Sequence, residues 1–394
     1  MKKIFYVILS VLLLLSFFVP KQEKRYAYAA ETTDADEMVD NVIDAMELDG
    51  YEKYMEKLKE EYDISFPEKI KKIVEDAIYQ KSETDARYFL RTFLYLLIGN
   101  VGGYFARSSI ILIVCILLSL LKNMSSGFAS RSTEKIVYLA SYGVIITIVL
   151  SIIGQVVAET TSLIEIITLF TDTIFPPLLA VMTAIGSVSA TGVYQPALLL
   201  FSSLIPNVIN SVVLPLFYLS FVLTVVGHLN EEIKLKKTVK TARSVAEWTL
   251  SLFFGLFTLI TTAKGIAGNG SDSFAVRSAK FALSGYVPVV GNYLKDGFDI
   301  VITSCIVVKN AVGVTAIVIL ILTVIVPVVK ILLSVFALRL TASVVEPFGE
   351  ERVSAMLYDV SDCLKLLLIL ILCIAFSLFT VLMLIILSCN GGYV

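Results

Sequence analysis

Six stretches of roughly 20 apolar residues, at about 102–121, 136–157, 211–228, 247–266, 311–335 and 366–388, leave this chain few ways to fold. Within hydrocarbon no water can satisfy a peptide N–H or C=O, so each such run must bond its own backbone as a helix. The reading is an all-α, polytopic helical membrane protein with six to eight transmembrane helices. Composition agrees, with 57% hydrophobic residues, 17% charged and a mean hydropathy of +0.84.

Charge sets the orientation. The N-terminus places Lys2 and Lys3 before an apolar core from Ile4 to Val19 and closes on Ala27 and Ala29. It reads as a secretory signal, residues 1–29, with a cut after Ala29. Retained as an anchor, it would leave the next segment on the same outer side. With that end exported, the connections at 122–135, 229–246 and 336–365 fall in the cytoplasm and hold 3, 5 and 3 Lys or Arg. The stretch 158–175, read as a short outer loop, has none, as the positive-inside rule requires.

Residues 30–88 form an exported acidic helical region, with 18 Asp or Glu against 8 Lys or Arg between 31 and 88. Tyr51, Tyr54, Met55, Leu58 and Tyr62 recur at helical spacing, and Ser65 with Glu68 makes a capping box. So small a unit buries little by itself, and its apolar stripes need a partner, either the membrane surface, the unit itself or a docked protein. The membrane domain follows over 89–394. A weak parallel repeat, 131–230 against 243–342, is set by an offset of 112 that pairs Arg131 with Arg243, Gly143 with Gly255, Pro176 with Pro288 and Pro215 with Pro327.

Two broken segments interrupt the spans. Between 163 and 210, FPPLLAVMTAIGSVSATG reads as two further spans or a re-entrant pair; its small residues suit close helix packing. Between 274 and 310, RSAKFALSGYVPVVGNYLKDGFD reads as a helical hairpin around Gly285, Pro288 and Gly291, following a Gly-rich GIAGNGSDS loop. Arg277 and Lys280 share a face of its first arm; Lys295 and Asp299 share one on the second, with Asp296 beside them. Charges at membrane depth are costly unless paired or hydrated. The arms therefore either lie in the outer interface, the preferred reading, or dip between spans and line a wet cavity.

Other chemistry is excluded. No phosphate loop, no G-x-S-x-G and no H-E-x-x-H occurs, and one histidine, His228, leaves a hydrolase without its usual base, so no enzyme activity and no cofactor or metal is expected. The five cysteines form no CxxC pair and read as small core residues; His228 and Trp248 sit at span ends. Glu346, Glu350, Glu351, Asp359 and Asp362 read as a solvated cytoplasmic face or a partner contact. Nothing has the basic concentration that nucleic acid needs.

The run RSAKFALSGYVPVVGNYLKDGFDIVITSCIVVKNAVG, with LPLFYLSFVLTVV, FPPLLAVMTAIGSVSATGVYQPALL and the late VVEPFG, resembles the stage III sporulation protein AE family of endospore-forming bacteria. The resemblance implies a multi-pass component of the channel-like assembly joining mother cell and forespore. It would sit in the mother-cell membrane surrounding the forespore, with residues 30–88 facing the intermembrane space. The implied partners are other stage III sporulation proteins, among them a cytoplasmic ATPase, and stage II sporulation protein Q met in the intermembrane space; a homo-oligomer is compatible with this. The alternative is a self-sufficient secondary transporter with its site at the broken segments 163–210 and 274–310. No catalytic residues are implied.

Overall fold

The computed structural model describes residues 53–54, 56–59, 109–117, 131–229, 235–286, 291–348 and 351–388. Among these residues there is no strand. Six helices carry the bundle: α1 Arg131–Ala184, α2 Val188–Val208, α3 Leu214–Leu229, α4 Lys236–Tyr286, α5 Gly291–Val345 and α6 Glu351–Leu387. A π-turn, Ile209–Val213, joins α2 to α3 without a break, and a 3₁₀ turn, Glu346–Phe348, follows α5.

By length and apolar composition five helical units can cross a membrane: Leu139–Ala184, Val188–Leu229, Lys236–Gly265, Asp299–Val345 and Glu351–Leu387. Each contains one of the expected spans. The expected span 102–121 lies mostly outside the described residues; its 109–117 part is helical and buries Ile111 and Cys115. The signal at 1–29 and most of 30–88 also lie outside them.

The stretch 158–175 is not a loop. It is the middle of α1, a single helix of 54 residues. The polar residues that signalled a loop are satisfied without leaving the helix: Thr160 and Thr161 donate to the carbonyls of Val156 and Val157 at 2.8 and 3.1 Å, and Glu159 finds a partner on α5. GIAGNGSDS is likewise helix, within α4. Both broken segments are therefore continuous helices meeting at short connections, 185–187 and 287–290, the latter outside the described residues. The offset of 112 pairs Pro176, inside α1, with Pro288, between α4 and α5.

The first of these connections has a clear physical cause. Gly186 adopts φ +94°, and its N–H and that of Ser187 close on the Thr183 and Met182 carbonyls, both at 2.9 Å. This double bond pattern around a left-handed residue ends α1 and satisfies two of its last carbonyls. The chain then reverses directly into α2, whose N-cap residue, Ser187, does not cap the helix with its side chain. The cap comes instead from α4, where the buried Asp272 carboxylate accepts from the N–H groups of Ser189 and Ala190, both at 2.9 Å. Negative charge at the positive end of a helix is favourable, and both orphan donors are satisfied. The approach is close because α4 presents Gly268 there; a Cβ on it would lie 3.1 Å from the Ala190 Cα. TAIGSVSATG and GIAGNGSDS are thus the two sides of one small-residue contact.

α5 and α6 form the largest interhelical interface, closed at each end by polar groups. At one end the fully buried Lys309 of α5 reaches the last turn of α6, donating to Ile386 O at 3.2 Å and to Ser388 O. A cation on the free carbonyls of a helix C-terminus offsets their partial negative charge. At the other end Arg339 of α5 meets Asp362 of α6. Between the two ends run about 45 Å of α5 and about 39 Å of α6, at 1.5 Å per residue. From Arg243 to Asp272, α4 runs about 44 Å on the same measure. A bilayer with its headgroups is about 40–45 Å thick, so the polar ends of three helices stand one membrane apart.

The α1 and α2–α3 hairpin is longer. Tyr142 of α1 donates to Val225 O of α3 at 2.9 Å, and from there to the Gly186 turn α1 runs about 65 Å. The excess over α4 must be taken up by tilt or bending. The means are in the sequence: Pro176 and Pro177 in α1, Pro196 and Pro206 in α2, and the π-turn beside Pro215.

Candidate functional site

Charged side chains within the bundle are the features that an apolar fold does not need; besides the helix-end groups Asp272 and Lys309, three further polar clusters stand out among the described residues.

The first is between α1 and α5. Glu159 and Lys330 form an ion pair at 3.3 Å, with side chains only 13% and 17% exposed. Gln155, one turn before Glu159, donates to the same carboxylate oxygen at 3.0 Å. Lys330 stands about 14 Å along α5 from Arg339 and about 32 Å from Lys309, which puts the pair at membrane depth. An unpaired charge there would cost several kcal/mol, and a bound pair is tolerated. This is the arrangement the sequence reading missed. Lys330 was visible as a lone charge inside the run 311–335, and such a charge calls for an acid; Glu159 had been placed in a loop.

The second is the end of the bundle where α3, α4, α5 and α6 converge. Asp362 accepts from Arg339 at 2.5 Å and from Lys365. Arg339 also donates to Ser361 Oγ at 3.1 Å and lies 4.7 Å over the Tyr358 ring. His228 places Nδ1 2.8 Å from the Thr224 carbonyl and Nε2 3.4 Å from Asp359. Arg243 of α4 donates to Cys363 Sγ at 3.1 Å. Asp359 and Asp362 are therefore not a solvated face; their pairs join α3, α5 and α6, and the Arg243–Cys363 contact adds α4. Helix spacing explains this, because 359, 362 and 363 lie on the side of α6 that faces α3, α4 and α5.

The third is the seat of residues 53–59. Tyr54 is fully buried against Phe170 of α1, with ring centroids 5.6 Å apart, and its hydroxyl is 2.7 Å from Thr323 Oγ1 of α5. Leu58 is buried beside it, and Lys57 pairs with Glu165 at 3.7 Å. The apolar stripe read at Tyr54 and Leu58 is thus partnered by the chain's own α1 and α5.

The polar hairpin residues are distributed along the two arms that flank 287–290. Arg277 is exposed on α4, and Asp299 is half-buried on α5. Lys280 belongs to α4 and Lys295 and Asp296 to α5, but their side chains lie outside the described residues. From Asp272 to Tyr286, α4 continues about 21 Å, and α5 begins about 27 Å before Lys309. The arms therefore extend well past the polar end of the bundle.

Comparison with known proteins bears on what such a bundle is. The family model described as stage III sporulation protein AE matches residues 68–389, which takes in every helix of the bundle. The chain belongs to that family. A curated stage III sporulation protein AE of Bacillus subtilis (strain 168) is 26% identical over 324 residues, 81% of this chain and 80% of that protein. No solved structure gives a significant match. The chain is a sporulation-family protein of the membrane. The matched region opens within the acidic segment and closes just past the helix that Lys309 caps.

Proposed function

We propose that this chain is the membrane component of the channel assembly linking mother cell and forespore, required for late forespore development, acting there as structural platform or conduit. The observation that carries this reading is the α4–α5 arms, which run some 20–27 Å beyond the polar end of the bundle and present Arg277 outward. A permease sufficient to itself has no use for a rigid helical projection; a platform does. The basic end of the bundle, with exposed Lys237 and Lys240, faces the mother-cell cytoplasm by the positive-inside rule and is the side for the ATPase. The arms face the intermembrane space, where stage II sporulation protein Q is met, as does the part of residues 30–88 outside the seat of residues 53–59.

Purification from sporulating cells in mild detergent tests this. The other stage III proteins should be recovered with the chain, and shortening the α4–α5 arms by equal numbers of turns should release those on the outer side. Recovery of the chain alone, together with solute movement in vesicles that contain nothing else, would instead establish the secondary transporter. The Glu159–Lys330 pair at membrane depth is the observation favouring that second reading, since intramembrane ion pairs are a recurrent feature of transporters. Its site would then be that pair rather than the segments 163–210 and 274–310, which are continuous helices around short connections.

A further inference from the structure

One face of α4 changes its chemistry with depth. Lys237, Thr241, Ser244, Trp248, Gly255 and Leu259 recur at helical spacing on that face, and all six are exposed. Its inner part suits hydrocarbon, since Leu252, Leu256 and Leu259 are 46%, 51% and 65% exposed beside or on it. Its first turns do not, because residues 234–243, KLKKTVKTAR, hold five Lys or Arg and no acid.

The polar ends of the bundle fix where the change falls. α4 runs about 44 Å from Arg243 to Asp272 and a hydrocarbon core is about 30 Å thick, so the core begins about 7 Å inward of Arg243. Trp248 stands about 7.5 Å inward, at that boundary, and is 68% exposed. An indole at this level keeps its ring in the apolar layer and its N–H among the headgroups. Lys240 and Lys237 stand about 4.5 and 9 Å outward of Arg243, at the level of lipid phosphates.

Two concavities follow the same face. Lys237, Lys240, Thr241, Ser244, Val245 and Trp248 line one of about 590 Å³. A second, of about 560 Å³, begins at Ser251 and lies between α4 and α6, where Phe254, Gly255 and Leu259 face Cys373 and Phe376. The hydroxyls of Thr258 and Ser377 meet each other there at 3.4 Å, which leaves the groove a surface of carbon. A Cβ on Gly255 would meet nothing within 4 Å among the described residues, so the groove is open at its centre. From Ser251 to Thr262 it runs about 16 Å, close to half the thickness of a hydrocarbon core and so to the length of one leaflet's acyl chains.

Charge selects the headgroup. Elsewhere at this end of the bundle Arg339 and Lys365 are taken by Asp362, and His228 by Asp359. Lys237 and Lys240 pair with no carboxylate among the described residues. Glu247 is half-buried and lies about 100° round the helix from Trp248, off this face. The Thr241 hydroxyl donates to the Lys237 carbonyl at 3.0 Å, so the donors turned to a ligand are the two ammonium groups and the Ser244 hydroxyl. A zwitterionic lipid would bring an ammonium of its own against these lysines, whereas a headgroup of net negative charge brings only what they attract. We infer that this face binds one anionic phospholipid of the cytoplasmic leaflet, its phosphate and headgroup held by Lys237, Lys240 and Ser244, its glycerol beside Trp248 and an acyl chain along the α4–α6 groove.

Trp248 is the single tryptophan of the chain, so its fluorescence reports on this face alone. The full chain is reconstituted in vesicles of phosphatidylcholine and phosphatidylglycerol, with quenching bromines carried on the acyl chains of one lipid and then, at the same mole fraction, of the other. The two degrees of quenching give an exchange constant at Trp248, which should favour phosphatidylglycerol about fivefold, the factor that one lysine beside an anionic headgroup supplies. Lys237→Gln with Lys240→Gln should bring it toward one. Phosphatidylglycerol with a photoactivatable acyl chain should label the groove at Phe254, Leu259 and Phe376, and the same double variant should cut that labelling about fivefold while leaving the exposed Leu139 and Leu150 of α1 labelled as before. A constant near one in the parent chain, a constant that the two substitutions leave unchanged, or acyl labels spread alike over α1 and α4 would overturn the site. A constant near one throughout, with loss of a co-purified acidic protein from the double variant, would give the surface to that protein instead.

Discussion

Lys330→Met is the most informative single change. Glu159 and Lys330 are 3.3 Å apart, which at an effective dielectric of about 20 is a gross attraction of about 5 kcal/mol. Desolvating the two ions consumes most of that, so the intact pair adds little net stability. Removing one partner is another matter, because the remaining charge keeps its burial cost and loses its compensation. With Lys330 gone, the Glu159 carboxylate at 13% exposure retains the 3.0 Å bond from Gln155, and the expected loss is about 3–5 kcal/mol. Glu159→Gln alone leaves the ammonium and should cost a similar amount. The double variant, Glu159→Gln with Lys330→Met, restores neutrality and should return to within about 1 kcal/mol of the parent. The assay is thermal unfolding of the detergent-solubilised chain, followed by the fraction remaining monodisperse. Losses in the two single variants that simply add in the double would show that the residues do not act as a pair. A double variant that is stable but no longer supports spore formation would give the pair a role beyond packing.

Asp272→Ala uncaps α2, and loss of a helix cap is expected to cost about 1–2 kcal/mol, read as a lower unfolding midpoint and faster proteolysis near the Gly186 turn. Asp272→Asn, which gives up the charge but keeps one acceptor, should lose less; a loss equal to that of Asp272→Ala would mean that the single neutral acceptor caps nothing. Tyr54→Ala removes a buried ring and its bond to Thr323, a change worth about 3–5 kcal/mol of local docking, so cleavage at Lys53 or Lys59 by trypsin should accelerate sharply. Unchanged cleavage would mean that segment 53–59 is held by something other than this seat.

The sequence carried the class of fold because apolar runs near 20 residues have few alternatives in lipid, and five of the expected spans lie within the helices seen. It misplaced the boundaries where polarity was mistaken for a loop. Glu159, Thr160 and Thr161 look like a surface turn only if their partners are unknown, and those partners are a lysine far along the chain and the helix's own carbonyls. GIAGNGSDS read as a loop because glycine is permissive, yet close packing on Ala190 needs glycine for its lack of bulk. Small-residue packing was legible in TAIGSVSATG, while its partner surface was not, since no local rule joins residue 190 to residue 268. The charged groups divide in the same way. Arg277 and Asp299 announced themselves as charges beside a Gly-Pro-Gly break. Asp359 and Asp362 were visible but read as a solvated face or a partner contact, because their pairing depends on how α3, α5 and α6 meet.

The account rests on a bundle whose two polar ends stand on opposite sides of one membrane, with the Arg243, Arg339 and Asp362 end in the cytoplasm and the α4–α5 arms outside. Arg277→Cys and Lys237→Cys, each introduced singly and exposed to a membrane-impermeant maleimide added to intact protoplasts of non-sporulating cells producing the chain, whose exported face meets the medium, test this directly. Arg277→Cys should be labelled at once and Lys237→Cys only after the membrane is opened. Labelling of Lys237→Cys in sealed protoplasts, or of both positions alike, would contradict it.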